Sequence, residues 1–499
     1  MRPLEIAVIV ANTMTLLGLA VPRLRAVPLP GFIALIAALV AAMQVLLEGA
    51  RWQMIPSYAL LAVFFMIWLS GVFVARRMHI GRLVAGLGVG LETFVLVVSI
   101  ALPIALPVFR FPKPTGPYAV GSVTYHWVDA GRPELFTLDS TDRRELVAQV
   151  WYPARKESSA PRVPCRIPYM EDADATTTAM ARIVHLPSFL FAHFKYVTTN
   201  AVDHAPAADD QSSYPVLIFL TGLGGFRGSN TFQVEELVSH GYVVVGLDQP
   251  GASAAVRLRD GRVVTTLPRE QIQALIEQST NPRQDAPALN GQILQNGIIP
   301  YFAQDVSFAI NRLTDIDKSD PNDRLAGRLD LRRIGVLGIS LGAIVAGEAS
   351  HLDARIKASL MMDAAMPADV VQAGLLQPCM WITRPAGDMR LERSRSGGWP
   401  EAAITETLTT MRAVFDKHVL GSAYYLDMPG MFHVNFTDAP FWSPLTSRLG
   451  LTGPVDGRRM WDVVNAYSVA FFDKYLKGRQ EPLLDGPVRQ YPHVRLQRR

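Results

Sequence analysis

Residues Gly338-Ile339-Ser340-Leu341-Gly342 follow an apolar, strand-like run, Ile334 to Leu337, and open a small-residue, helix-like run, Ala343 to Ala349. A serine between two such glycines at a strand-to-helix turn has the form of a nucleophile elbow. The turn is so tight that a Cβ at either glycine would strike neighbouring backbone, which reserves both positions for glycine. The serine is thereby held proud of the sheet, its hydroxyl open to a substrate.

At 499 residues the chain is too long for one ordinary domain. Charged residues make up 18% and hydrophobic ones 49%, and the apolar excess is gathered in residues 1–108. Four runs there, about Leu4–Val21, Pro28–Leu47, Ile55–Val74 and Leu83–Val108, are each near the ~20 residues that cross a bilayer as a helix. The expectation is a membrane region of about four transmembrane helices over 1–108 and a proline-rich linker over 109–117. A soluble domain over 118–485 follows, with inserts near 155–210 and 265–300, and then a tail over 486–499. The first run lacks the basic start of a signal peptide and is read as a retained helix. Arg23, Arg25, Arg76, Arg77 and Arg82 fall on one side of these helices, and Arg2, Arg51, Arg110 and Lys113 on the other. The positive-inside rule then puts the soluble domain on the extracytoplasmic (periplasmic) side.

A net charge of +4 and a pI near 9.0 come with no lysine-rich stripe interleaved with aromatics, so no nucleic-acid partner is expected. Two cysteines, Cys165 and Cys379, exclude a disulfide-dense scaffold and a multi-cysteine metal site while leaving room for one bridge. Cys379, in a strand-like run, reads as a buried small hydrophobe. With no phosphate loop, dinucleotide fingerprint or metal-ligand spacing, no cofactor and no metal are expected.

Beyond the linker, strand-like runs at 120–128, 145–152, 216–220, 242–247, 334–337, 356–362, 379–383 and 422–427 alternate in the later half with helical stretches at 301–314, 343–350, 404–418 and 458–477. Such alternation predicts a mostly parallel sheet covered on both faces. The first insert is rich in aromatics (Phe189, Phe191, Phe194, Tyr196), which suit a cap over an acyl pocket, contact with a bilayer, or plain core.

A serine hydroxyl is a poor nucleophile unless an imidazole takes its proton and a third group orients that imidazole. The chain order this fold requires is Ser, acid, His. Of ten histidines, most precede Ser340, end helices (His351, His418) or lie in the tail (His493). His433, in the loop between the last strand-like and the last helical run, is the candidate base. Asp363, closing the strand after the elbow helix, and Asp388, in a charged loop after the next strand, both compete for the acid. Asp363 is favoured, because a carboxylate leaving an apolar strand end is costly without a partner. The backbone N–H groups of Leu341 and of Leu223, in Thr221-Gly222-Leu223-Gly224-Gly225-Phe226, are the candidate oxyanion donors.

Several stretches together resemble the platelet-activating factor acetylhydrolase family (plasma and isoform II type) of α/β-hydrolases. They are Glu145 to Pro153 (ELVAQVWYP), Phe191 to Ala205, Leu217 to Arg227, Ser239 to Tyr242, Gly338 to Gly342, Asp363-Ala364 and His433 to Asp438 (HVNFTD). The resemblance covers about residues 118–475 and not the four-helix region. It implies an α/β-hydrolase fold, a triad at Ser340, Asp363 and His433, oxyanion donors at Leu223 and Leu341, and calcium-independent cleavage of short or oxidised sn-2 acyl groups from phospholipids. Thr221 and Ile339 stand where the family usually has histidine, which bears on the pocket rim and substrate preference. The chain is also similar to bacterial dienelactone-hydrolase-like and polyester-hydrolase relatives.

The expectation is thus a membrane-anchored serine esterase for a small ester or phospholipid, of undetermined oligomeric state. An acyltransferase, a thioesterase or peptidase with the same triad, and a catalytically silent binding module are the rivals. A silent domain has no physical need for the serine, the acid, the histidine and the glycine loop together.

Overall fold

The computed structural model describes residues 1–21, 29–73, 82–156, 165–418, 421–486 and 488–499. They form two compact units. One comprises Met1–Phe109 with Phe189–Val197 and Trp442–Leu445; the other comprises Arg110–Ser188, Thr198–Phe441 and Thr446–Arg499.

The first unit is built on helices α1 (Pro3–Ala20), α2 (Leu29–Glu48), α3 (Ile55–Phe73) and α4 (Arg82–Ala105). Ile9, Leu16, Ala34, Leu60, Phe64 and Leu96 pack inside it. Its outer faces are apolar too, with Leu46, Leu87 and Phe94 exposed. Among the described residues only α1 and the Leu87–Ala105 part of α4 are long and apolar enough to cross a membrane. This corrects the expectation of about four crossings. Among the described residues, the apolar stretches of the two middle helices are Phe32–Glu48 and Trp52–Ile67. Arg23, Arg25, Arg76 and Arg77, which weighed on orientation, lie outside the described residues.

Glu5, the acid in the first apolar run, is fully buried and accepts from Arg51 Nε at 2.6 Å and from Arg2 at 2.8 Å. Pairing explains how so apolar a helix carries it. The aromatic run of the first insert belongs to this same unit. Phe194 packs edge-on against Phe109, Phe191 and Trp442, and Phe189 against Trp52. Both cysteines are free; Cys379 is buried as expected, and Cys165 is exposed.

The second unit holds an eleven-stranded sheet. Its strands are β1 (Ala119–Pro133), β2 (Arg143–Ala154), β3 (Arg166–Pro168), β4 (Thr198–Asp203), β5 (Tyr214–Leu220) and β6 (Val243–Asp248). They continue with β7 (Leu329–Ile339), β8 (Ile356–Met362), β9 (Cys379–Thr383), β10 (Ala423–Asp427) and β11 (Arg495–Arg498). The spatial order is β11-β10-β9-β8-β7-β5-β6-β2-β1-β4-β3. From β6 to β10 every neighbouring pair is parallel. β5 and β8 are buried almost end to end, as their unbroken apolar runs require. The expected strands all form, and the last residues, read as a tail, add β11 antiparallel to β10.

The principal helices are α5 (Thr231–Ser239), α6 (Arg269–Thr280), α7 (Ile299–Lys318), α8 (Leu341–Leu352), α9 (Ala386–Ser396), α10 (Glu401–Lys417) and α11 (Gly457–Lys477). The chain leaves β5 towards β6 and leaves β7 towards β8, in opposite directions along the sheet. Right-handed crossovers then send α5 and α8 to opposite faces. The β5–β7 junction is therefore a topological switch point, where such sheets open a crevice at the carboxyl ends of their strands.

Candidate active site

Ser340 follows β7 at that junction. Its backbone is left-handed, φ 55° and ψ −124°, a conformation costly for any side chain with a Cβ. The turn is held by neighbours on both sides. Ser340 N–H donates to Met362 O at 2.9 Å, and a Cβ on Gly338 would overlap Gly342 O. A Cβ on Gly342 would overlap Leu220 O, at the end of β5. The two glycines thus let β5, β7 and α8 converge.

Asp363 follows β8 as Ser340 follows β7, and it too is left-handed, with φ 50°. It is fully buried. His433 Nδ1 lies 2.7 Å from Asp363 Oδ2, leaving Nε2 for the proton of a nucleophile. Thr383 Oγ1 donates to Asp363 Oδ1 at 2.9 Å, and Arg384 Nε donates to Oδ2 at 2.8 Å. Burial alone would raise the carboxyl pKa. The Arg384 charge and the His433 hydrogen bond overcome it and hold the group at about 2.

Asp388, the rival acid, lies in the first turn of α9, and its Oδ2 accepts Gly430 N–H at 2.7 Å. It fastens the loop leading to His433 and makes no contact with the imidazole. That loop is tied down further on. Asn435 Oδ1 accepts the N–H groups of Phe432 and Gly453, both at 2.8 Å. Asp438 Oδ2 and Oδ1 accept from Thr231 and Phe232 at 2.9 and 3.1 Å, satisfying N–H groups at the start of α5.

The glycine loop after β5 comes within contact of the elbow. Gly224 is left-handed at φ 71°, and Gly225 N–H donates to Gly222 O at 2.9 Å. Leu223 and Leu341 line one cavity with Ser340 and Asp363. Its volume is about 340 Å³, and Ile276, Ile344, Ala364, Trp399 and Ala403 supply its apolar wall. Trp399 packs against the His433 ring, centroids 4.7 Å apart and planes tilted by 58°. Among the described residues no group of three or more His, Cys, Asp or Glu side chains could hold a metal ion.

Three residues beside the triad were not anticipated from sequence. Arg384 directly follows the strand-like run 379–383, Glu392 falls in the charged stretch around Asp388, and Trp399 follows a glycine pair. No periodic pattern marks them, because α9 is strongly polar and only Met389 and Glu392 of it are buried.

The family described as platelet-activating factor acetylhydrolase, isoform II, matches residues 104–483. Platelet-activating factor acetylhydrolase of Canis lupus familiaris is 24% identical over 394 residues, covering 74% of this chain and 78% of its own. The probable 1-alkyl-2-acetylglycerophosphocholine esterase of Arthroderma benhamiae is 23% identical over 415 residues, covering 77% and 93%. Among solved structures, the ferulic acid esterase from Streptomyces cinnamoneus superposes with a TM-score of 0.58 at 26% identity, covering 79% of this chain and 100% of that one.

Proposed function

Since the chain belongs to the platelet-activating factor acetylhydrolase, isoform II, family and is a carboxylic ester hydrolase, we propose that it is a membrane-anchored serine esterase acting on short-acyl or phospholipid sn-2 esters. Ser340 attacks the acyl carbonyl while His433 Nε2 takes its proton. Asp363 holds the ring through Nδ1 and stabilises the imidazolium. The N–H groups of Leu223 and Leu341 receive the oxyanion, His433 returns the proton to the leaving alcohol, and water releases the acyl-enzyme.

The observation that carries this reading is the 2.7 Å contact of His433 Nδ1 with a buried Asp363. A small cavity of about 340 Å³ suits a short acyl group. The apolar outer faces of the helical unit and its two long apolar helices support the anchor. The loop charges support an extracytoplasmic catalytic unit.

The test is hydrolysis of p-nitrophenyl esters, acetate through palmitate, by detergent-solubilised protein beside Ser340→Ala. A short-chain optimum that disappears in the variant supports the proposal. Equal turnover by the two proteins, or none by either, overturns it.

A further inference from the structure

We propose that Arg384 is a positioning residue of this site, a buried clamp on the triad carboxylate that fixes the oxygen facing the His433 imidazole. The inference rests on the triad reading above.

Arg384 follows β9 and is wholly buried. Its Nε donates at 2.8 Å to the same oxygen, Asp363 Oδ2, that meets His433 Nδ1 at 2.7 Å. Its Nη1 donates to Glu392 Oε2, while Glu392 Oε1 accepts the backbone N–H of His433 at 3.2 Å. One guanidinium therefore holds the acid directly and the base's backbone through one carboxylate. Among the described residues Nη2 has no hydrogen-bond partner. The Trp399 ring lies 5.2 Å from the guanidinium carbon, and it is the same ring that packs on His433.

Stability does not require this arrangement. Buried ion pairs seldom exceed well-packed apolar side chains in net stabilisation. What a planar fork supplies is a fixed oxygen position. Asp363 needs one, since the same Oδ2 meets both Arg384 Nε and His433 Nδ1. The charge has a second effect. A carboxylate oxygen shared with a guanidinium attracts a facing cation less strongly. Glu392 opposes this by adding negative charge near the same ring. Tyr425, on β10 beside Asp363, is kept neutral, its phenol pushed up by burial. Arg269, Glu277 and Glu406 line the cavity and are unchanged in the variants below.

The test is the pH dependence of kcat/KM for p-nitrophenyl acetate with full-length protein in detergent, comparing wild type, Arg384→Met, Arg384→Lys and Glu392→Gln. Labelling of Ser340 by a fluorophosphonate reports an assembled site. Arg384→Met is expected to lower kcat by about tenfold or more and to move the acidic limb up by roughly one pH unit, with KM little changed. Arg384→Lys keeps the charge without the fork, so kcat falls while the limb stays. Glu392→Gln moves the limb down, and it carries the test with the lysine variant if Arg384→Met does not fold. Limbs that superimpose on wild type in every labelled variant, or shifts of the same sign in Arg384→Met and Glu392→Gln, overturn the inference. A wild type that neither hydrolyses the ester nor takes the label brings down the triad reading beneath it.

Discussion

Gly222 lies so close to Ser340 that a Cβ built on it would stand 3.2 Å from the serine Cβ and 3.8 Å from its Oγ. The glycine loop is thus fitted closely to Ser340. Gly222→Ala obliges the Ser340 Cβ to give by a few tenths of an ångström, and the larger side chain of Gly222→Val asks for more. The expected outcome is a loss of kcat of roughly ten- to a hundredfold for alanine and no measurable activity for valine. Wild-type turnover by the valine variant contradicts it.

Ser340 stores backbone strain at φ 55°. Ser340→Gly is expected to abolish hydrolysis while relieving that strain, and to be more stable than Ser340→Ala by about 1 kcal/mol. Paired thermal melts of the two inactive variants decide the matter, since both lack the hydroxyl.

The Asp363 carboxyl has its folded pKa lowered from 3.8 to about 2. A lowered folded pKa contributes stability above the unfolded pKa and loses it as pH falls through the folded one. The window is therefore about pH 4 down to pH 2, and the contribution is on the order of 2 kcal/mol. Asp363→Asn leaves Arg384 with Glu392 as its remaining carboxylate and is expected to be about 2 kcal/mol less stable at pH 7. Its stability should also fall less steeply between pH 4 and 2. Denaturant melts at four or five pH values show whether the two slopes differ.

Asp388→Ala removes only the acceptor for Gly430 N–H. A stability loss of about 1 kcal/mol is expected, with kcat within roughly threefold of wild type. If activity instead collapses, the acid has been assigned to the wrong carboxylate.

Much of this site can be read from short stretches of chain. The glycines flanking Ser340 act within a few residues, by a steric rule independent of the rest of the fold. The apolar runs of β5 through β10 announce a parallel sheet because strands buried on both faces need unbroken hydrophobic sequence. Asp388 shows where such reading weakens. Its loop, crowded with arginines, turns out to be a helix whose polar sequence carries no amphipathic period. The aromatic run 189–197 is another such case, since no local pattern says that its rings pack with Phe109 and Trp442.

By itself the sequence singled out Ser340 as the candidate nucleophile and determined the class of sheet, because each depends on sterics or periodicity over a few residues. Only the tertiary structure decided which carboxylate meets the imidazole and which cation shares it. Asp363 and His433 are 70 residues apart, and Asp363 and Arg384 are 21 apart. They meet because β8, β9 and β10 lie side by side, and a buried charge takes its partner from whatever strand order brings within hydrogen-bond reach.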